Sequence, residues 1–398
     1  MDIDKSKNSI LVIGTGGVGS AFVRKALQYP NWFTPLHLAS RSIDKCQILK
    51  DEFGSLLAIH QLDADDSEQV FELIQRINAT LVVNLALPYQ DLSIMDACLR
   101  ARVDYIDTAN YEPIDEAKFC YKWQWDYRER FEETGNMAIL GTGFDPGVTN
   151  VFCQYANTHL FDTLHTVDIV DCNAGDHGHP FATNFNPEIN IREITQNGKY
   201  YHQGQWIEVD SLSESMEIDF PEVGPRKAYL IYHEELESLV KNIPEIQTMR
   251  FWMTFSDAYL THLEVLQNVG LTSIEPMSFQ GQDVVPLQFL KACLPDPGAL
   301  GSKYTGKTSI GCLFKGRQGG KKKAVSIYNV CDHEQCYKDI KAHAVSFTTA
   351  IPALITTKLI RTGIWKKPGV FNIEEFDPDP FMKEMPNFGL QWEVREDV

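Results

Sequence analysis

No ladder of paired cysteines runs through this sequence. Its nine cysteines are an odd number scattered from Cys46 to Cys336, so a disulfide framework is excluded and a reducing, cytoplasmic setting is the expectation. No apolar run approaches the roughly 20 residues that a membrane-spanning helix needs. The charged start, Met-Asp-Ile-Asp-Lys-Ser-Lys-Asn-Ser, has no apolar segment of the kind a secretion signal carries. Positive charge is also short: 36 Lys and Arg stand against 54 Asp and Glu, a net charge of −18. Such a chain is a poor nucleic-acid binder, and its field attracts small cations. Arginine is scarcest in residues 148–344, which hold only Arg192, Arg226, Arg250 and Arg317 and set 24 acidic residues against 16 basic ones. There is no internal repeat and no low-complexity tract. Cys331-Asp-His-Glu-Gln-Cys336 offers two cysteines with no second cluster, so no metal is expected. Lys321-Lys322-Lys323 follows Gly319-Gly320 and reads as a solvated hairpin tip.

What is present is a large hydrophobic fraction, 43% of 398 residues, enough for two or three domains. Through the first 140 residues, strand-like runs alternate with helical patterns. The strands are expected at Ile10–Ile13, Leu36–Ala39, Leu56–Ile59, Leu81–Leu85, Tyr105–Asp107 and Met137–Leu140. The helices are expected at Ala21–Gln28, Asp44–Glu52, Ser67–Ile77, Ser93–Arg100 and Glu116–Glu132. This alternation predicts an α/β, doubly wound parallel sheet, with ligands at the carboxyl ends of the strands. It stops near Gly141-Thr-Gly-Phe-Asp-Pro-Gly147. Beyond it, longer strands (Thr166–Asp171, Lys199–Val209, Arg226–Ile231, Gln247–Ser256, Lys307–Lys315, Lys323–Val330) mix with helices at Pro146–Leu160, Leu236–Asn242, Asp257–Val269 and Val285–Leu294, an α+β pattern. A helix over His343–Gly363 and a Pro-rich tail close the chain. The divisions fall at 1–147, 148–344 and 345–398.

The first strand runs into Gly14-Thr15-Gly16-Gly17-Val18-Gly19, a G-x-G-x-x-G turn that opens a helix. Gly14 permits the tight turn, Gly16 the close approach of a pyrophosphate, and Gly19 the packing of helix on strand. Free N–H groups at the helix start favour the anion. This is a Rossmann-type dinucleotide site. The second strand ends at Ser40-Arg41 rather than at an acid, which favours the 2′-phosphate of NADP, with Lys45 assisting; Asp44 keeps NAD as the alternative. Asp63, after the third strand, either meets the adenine edge or caps a helix. Ala86 and Leu87, at the fourth tip, suit the nicotinamide side, as do Asp107 and Thr108 at the fifth.

Taken in order, Gly14–Gly19, Leu38–Arg41, Leu87–Tyr89, Asp107-Thr-Ala-Asn-Tyr-Glu112 and Gly143–Gly147 resemble the saccharopine dehydrogenase/reductase family over nearly the whole chain. Asn173–His177, Asn186–Arg192 and Phe251–Asp257 are similar to its polyamine branch. The resemblance implies that the C-terminal segment returns to the Rossmann domain. It also implies a mixed-sheet second domain that carries substrate contacts and the interface of a homodimer. The reaction it implies condenses L-aspartate β-semialdehyde with a diamine, 1,3-diaminopropane or putrescine. NADPH then reduces the imine to carboxynorspermidine or carboxyspermidine. A saccharopine-type reductase acting on an aminoadipate semialdehyde and glutamate is the alternative, and an NADP-binding redox sensor without chemistry is another.

That reaction needs the imine carbon near the nicotinamide, a general acid and charge partners for both substrates. Arg192 is the candidate for the substrate carboxylate, because a guanidinium grips a carboxylate through parallel bonds. Asp176 and His177, in a Gly-rich turn, are candidates for the acid and the amine; the plain alternative is turn chemistry. Asp145, before Pro146, is either catalytic or a helix cap. Glu188 is a candidate for the far ammonium. Tyr89, Asn110 and Asn173 complete the substrate set.

Overall fold

The computed structural model describes residues 9–116 and 118–396. Its first sheet contains β1 (Ser9–Ile13), β2 (Leu36–Ser40), β3 (Leu57–Gln61), β4 (Ala79–Asn84), β5 (Asp104–Ile106) and β6 (Met137–Leu140). Its second domain supplies β7 (Thr163–Asn173), β8 (Gly198–His202), β9 (Gln205–Val209), β10 (Ser215–Phe220), β11 (Gly224–Ile231), β12 (Thr248–Thr254), β13 (Met277–Phe279), β14 (Gln282–Val284), β15 (Lys307–Gln318) and β16 (Lys321–Asp332). Two strands follow near the end of the chain, β17 (Gly369–Asn372) and β18 (Glu393–Glu396).

The first sheet has the order β17-β6-β5-β4-β1-β2-β3, and every pairing in it is parallel. β1 shows why. Ile10 and Val12 enter one core while Leu11 and Ile13 enter another, so both faces are covered by helices and the strand is apolar throughout. One cover contains the helices Gly17–Ala26 and Ala344–Arg361; the other contains Ser67–Ile77 and Asp91–Ala101. The C-terminal segment returns, as expected, by adding β17 beside β6.

The second sheet runs β10-β11-β12-β7-β15-β16-β18, with the β8–β9 hairpin joined to β12. It is mixed: β12 pairs with β7 in parallel, and the remaining pairs are antiparallel. Val167 and Ile169 of β7 share one core cluster with Val151 and Phe152 of the helix Val148–His159 and with the first domain. That face of β7 therefore points at the domain boundary.

Several expectations are corrected. Glu116–Glu132 is not one helix but two short ones, Lys122–Trp125 and Arg128–Thr134. The preceding loop instead buries Phe119 and Tyr121, so tertiary burial overrides helical propensity. The expected strand Lys199–Val209 is a hairpin turned at Gln203 and Gly204, with φ of 48° and 83°, the left-handed pair a tight hairpin needs. The helix Pro187–Thr195 was not foreseen, although Asn186 caps it by accepting from the N–H groups of Glu188 and Ile189. β10, β13, β14, β17 and β18 were also unforeseen; most are short or exposed and carry little apolar signal.

Candidate active site

Gly14 has φ of +111°, and a methyl added to it or to Gly19 would overlap backbone. Gly16 is different: it is exposed, and nothing lies within 4 Å of where its side chain would start. Of the three glycines of the G-x-G-x-x-G motif, two are closed by packing and one is left open. The helix Gly17–Ala26 begins with no side-chain cap and no acid in its first turn, so its N–H groups remain available to an anion. Beside it lies a cavity of about 250 Å³ lined by Thr15, Gly16, Ser20, Arg24, His343 and Ser346, among others. Val18 is half-buried and packs on the core. Thr15 Oγ1 donates to Ser40 Oγ at 2.9 Å, which fixes the tip of β2. Arg41 is exposed there, and Lys45 Nζ lies 3.1 Å from Asp296 Oδ2 of the second domain. Asp63 is exposed and accepts from Asp65 N at 3.2 Å. It is not the helix cap, a role that Asp66 fills.

The strand tips beyond β4 are tied together by buried polar groups. Asp107 accepts from Gln124 Nε2 at 2.7 Å and from Gly141 N at 2.8 Å, and burial raises its pKa to about 8. These bonds pin the tip of β5 to that of β6. Thr108 is half-buried beside it, and Ala86 N donates to Asn84 Oδ1 at 3.1 Å. Leu87 precedes a single helical turn, Pro88–Gln90. The side-chain amide of Asn110 donates to Tyr111 O at 2.6 Å, and its backbone N–H faces Glu234 Oε1 at 3.4 Å.

The helix Pro187–Thr195 carries Glu188, Arg192 and Glu193 into this region. Arg192 is buried, with Nε 2.7 Å from Glu112 Oε1. Its remaining donors reach Ile114 O and Pro113 O at 2.9 Å, and Tyr89 Oη at 3.4 Å. Burial outweighs Arg192 and holds Glu112 at about 8. Glu188, 3.8 Å from Arg192, accepts from Lys291 Nζ at 2.9 Å and Gln288 Nε2 at 2.5 Å. Burial alone would raise its pKa, but these donors hold it below the usual value.

Next to this corner stands His233, stacked on Phe251 with ring centroids 4.4 Å apart. Its Nε2 is 2.9 Å from Glu193 Oε1, while Nδ1 meets Glu235 and lies 3.3 Å from Glu234 Oε2. Burial disfavours the imidazolium, yet the three carboxylates overcome it and raise the pKa well above the ordinary value. Glu193, Glu234 and Glu235 thus surround both ring nitrogens, and one ligand atom each of His233, Glu234 and Glu235 lies within 4.8 Å of the others. Asp145 and Asp171 lie close by with enclosed carboxyl groups, and Asp145 Oδ2 has no hydrogen-bond donor facing it. Seven carboxyl groups (Glu112, Asp145, Asp171, Glu188, Glu193, Glu234, Glu235) therefore meet three cations (Arg192, His233, Lys291).

Asp145 does not cap a helix, because the nearest one starts at Val148 after Gly147. Asp176 and His177 lie elsewhere. Asp176 is exposed, and its Oδ1 accepts from Gly178 N at 2.7 Å, the turn chemistry weighed as the plain alternative. His177 packs edge-on to Tyr304 at 5.4 Å. Among the described residues, no hydrogen bond or ion pair joins either of them to Asp145, Glu188 or Arg192. Asn173 Nδ2 donates to Tyr304 Oη at 2.8 Å, and its Oδ1 pairs with His333 Nε2 at 3.0 Å. Tyr304 stacks on His333 at 3.7 Å, and His343 Nε2 lies 3.2 Å from Ser346 Oγ, next to Gly17. Burial lowers the pKa of His333 to about 3 and of His343 to about 4. Asp171, Glu193, His233, Glu234 and Glu235 were not singled out in the sequence. The dense triplet His233-Glu-Glu235 after a strand was the one visible signal.

Both halves of the chain match known proteins. Residues 10–139 match the saccharopine dehydrogenase NADP binding domain, and residues 143–390 match the saccharopine dehydrogenase C-terminal domain. The chain is 53% identical, over 96% of both chains, to the carboxyaminopropylagmatine dehydrogenase of Synechocystis sp.. It is 42% identical to the carboxynorspermidine synthases of Vibrio alginolyticus and Vibrio cholerae, over 98% of this chain and 97% of each relative. Its fold is similar to that of apo saccharopine dehydrogenase (L-Glu forming) from Saccharomyces cerevisiae, with a TM-score of 0.69 and 14% identity over 98% of this chain and 100% of that one.

Proposed function

The chain belongs to the saccharopine dehydrogenase family and is an NADP-dependent oxidoreductase, and from that premise we propose that it joins L-aspartate β-semialdehyde to a polycationic amine in polyamine biosynthesis. The aldehyde and a primary amine form an imine, which NADPH reduces to a secondary amine. The observation that carries this reading is the surplus of buried carboxyl groups over cations between the domains. Buried charge is unfavourable unless it is paired, and a cationic substrate supplies the missing partners. A tricarboxylate such as saccharopine would require cations in their place. The 53% identity to an enzyme named for carboxyaminopropylagmatine, against 42% to two named for carboxynorspermidine, supports agmatine as the preferred amine over putrescine or 1,3-diaminopropane.

In this reading the glycine turn holds the pyrophosphate, Ser40 and Arg41 meet the 2′-phosphate, and the cofactor supplies the hydride. Arg192, already engaged by Glu112 and by the carbonyls of Pro113 and Ile114, orients Glu112 and Tyr89 rather than gripping the substrate carboxylate as the sequence suggested, and the acidic seam around Glu234 receives the far cation of the amine. The test mixes enzyme, NADPH and aspartate semialdehyde with each amine in turn and follows loss of NADPH absorbance. Turnover that requires both substrates, fastest with agmatine, is expected. Oxidation of NADPH with none of the amines, or with aminoadipate semialdehyde and glutamate alone, would overturn the proposal.

A further inference from the structure

We propose that Asp296, a carboxylate of the second domain, sets the affinity for NADP(H) by competing with the cofactor's 2′-phosphate for Lys45. It opens a short 3₁₀ segment, Pro297–Lys303, that lies against the glycine turn. A methyl added to Gly17 would come 3.7 Å from Gly298 Cα, and one added to Gly298 would come 3.6 Å from Gly17 Cα. Several contacts hold the segment in that place. Asp296 Oδ1 accepts from Gly298 N at 2.9 Å, Pro297 O lies 3.1 Å from His343 Nε2, and Leu300 is buried with Ala182 and Tyr304. The other carboxylate oxygen, Oδ2, meets Lys45 Nζ across the domain boundary at 3.1 Å. The two side chains remain more than half exposed, Lys45 at 54% and Asp296 at 56%, so a ligand can reach either.

Asp296 opposes the character of its surroundings. It is the one carboxyl group among the described residues that line the cavity of about 250 Å³ beside the glycine turn. The rest of that cavity suits an anion: Gly16 is open, the helix Gly17–Ala26 starts without a cap or an acid, and Arg24, Lys45 and Lys341 supply three cations. Glu52 pairs with Arg24 at 3.1 Å and with Lys341 at 2.9 Å. Lys45 differs, because its partner is Asp296 itself. It lies in the first turn of the helix Ile43–Phe53, whose start has no side-chain cap, a few residues beyond Ser40, whose hydroxyl Thr15 fixes. The competition rests on the proposed placement of the 2′-phosphate at Ser40 and Arg41, at the same end of that helix.

A 2′-phosphate that takes Lys45 leaves Asp296 without its partner and beside a like charge, which weakens the complex. The ion pair re-forms when the cofactor leaves. Among variants of one site, affinity differences lie mostly in the dissociation rate, so Asp296 shortens the stay of the cofactor and eases exchange of NADP⁺ for NADPH between turnovers. NADH has no 2′-phosphate and escapes the competition.

The experiment titrates NADPH and NADH into the wild type, Asp296→Asn, Lys45→Met and the double variant, following cofactor fluorescence with no aldehyde or amine present. Asparagine keeps the Oδ1 acceptor for Gly298 N and removes only the charge. At about 0.01 M salt, where charges act over about 30 Å, Asp296→Asn should bind NADPH about 2- to 5-fold more tightly, the range of an exposed ion pair. The rate at which excess NADP⁺ displaces NADPH should fall to match. The gain should disappear at about 1 M salt. NADH affinity should not change, and most of the NADPH gain should be lost in the Lys45→Met background. Unchanged NADPH affinity in Asp296→Asn, an equal gain for NADH, or the full gain persisting without Lys45 would each overturn the proposal. A wild type that binds NADPH and NADH equally would overturn the placement of the 2′-phosphate itself, and the competition with it.

Discussion

The two halves of this molecule recognise their ligands by opposite means. The cofactor half uses backbone: Gly14 and Gly19 pack against main chain, Gly16 stays open, and the helix start offers uncapped N–H groups. The substrate half uses ionisable side chains, seven carboxyl groups against three cations, almost all buried. A backbone site costs the apo protein little, since its donors rest in water. A side-chain site that buries surplus charge weakens the apo protein, and what it loses there a ligand of opposite charge restores.

The largest expected effect breaks the substrate half. His233→Gln removes the cation among Glu193, Glu234 and Glu235. Leaving buried carboxylates without a partner should cost about 3–5 kcal/mol in denaturant unfolding. The folded-state pKa of His233 is raised, so its contribution is full below the ordinary imidazole value and lost as pH rises through the elevated one. The gap between wild type and variant should therefore narrow toward alkaline pH. Equal stability at pH 6 would contradict the assignment of His233 as charge partner.

A smaller effect sharpens the cofactor half. Gly19→Ala overlaps Gly14 O and should destabilise the fold by about 1–3 kcal/mol, as overpacking does. Gly16→Ala meets nothing within 4 Å, so its melting temperature should stay unchanged while NADPH binding weakens. A Gly16→Ala protein that binds NADPH as tightly as the wild type would remove Gly16 from the phosphate site.

The same contrast explains what could be read in advance. Parallel strands buried on both faces announce themselves as short apolar runs, and a dinucleotide turn is compressed into Gly14–Gly19, so the first domain and its cofactor were legible. The substrate half was legible only in part. Arg192 and Asp145 were marked by their residue type and their neighbours, yet their partners come from Glu112, Asp171 and His233, in segments that only the fold brings together. Asp176 and His177 stood out as chemistry-bearing residues in a glycine-rich turn, where Asp176 accepts from Gly178 N. The helix that aims Glu188 and Arg192 was hidden because its nine residues, Pro187–Thr195, alternate buried polar with buried apolar positions.

Until an amine binds, the acidic seam holds fewer cations than carboxyl groups. Thermal unfolding of the NADP⁺-bound protein, with and without agmatine at constant ionic strength, tests it most directly. Asp171, Glu234 and Glu112 ionise near 6, 7 and 8 in the folded state. The melting temperature should therefore rise with agmatine, and rise more at pH 8 than at pH 6. A shift that is absent, or that sodium chloride reproduces, would contradict it.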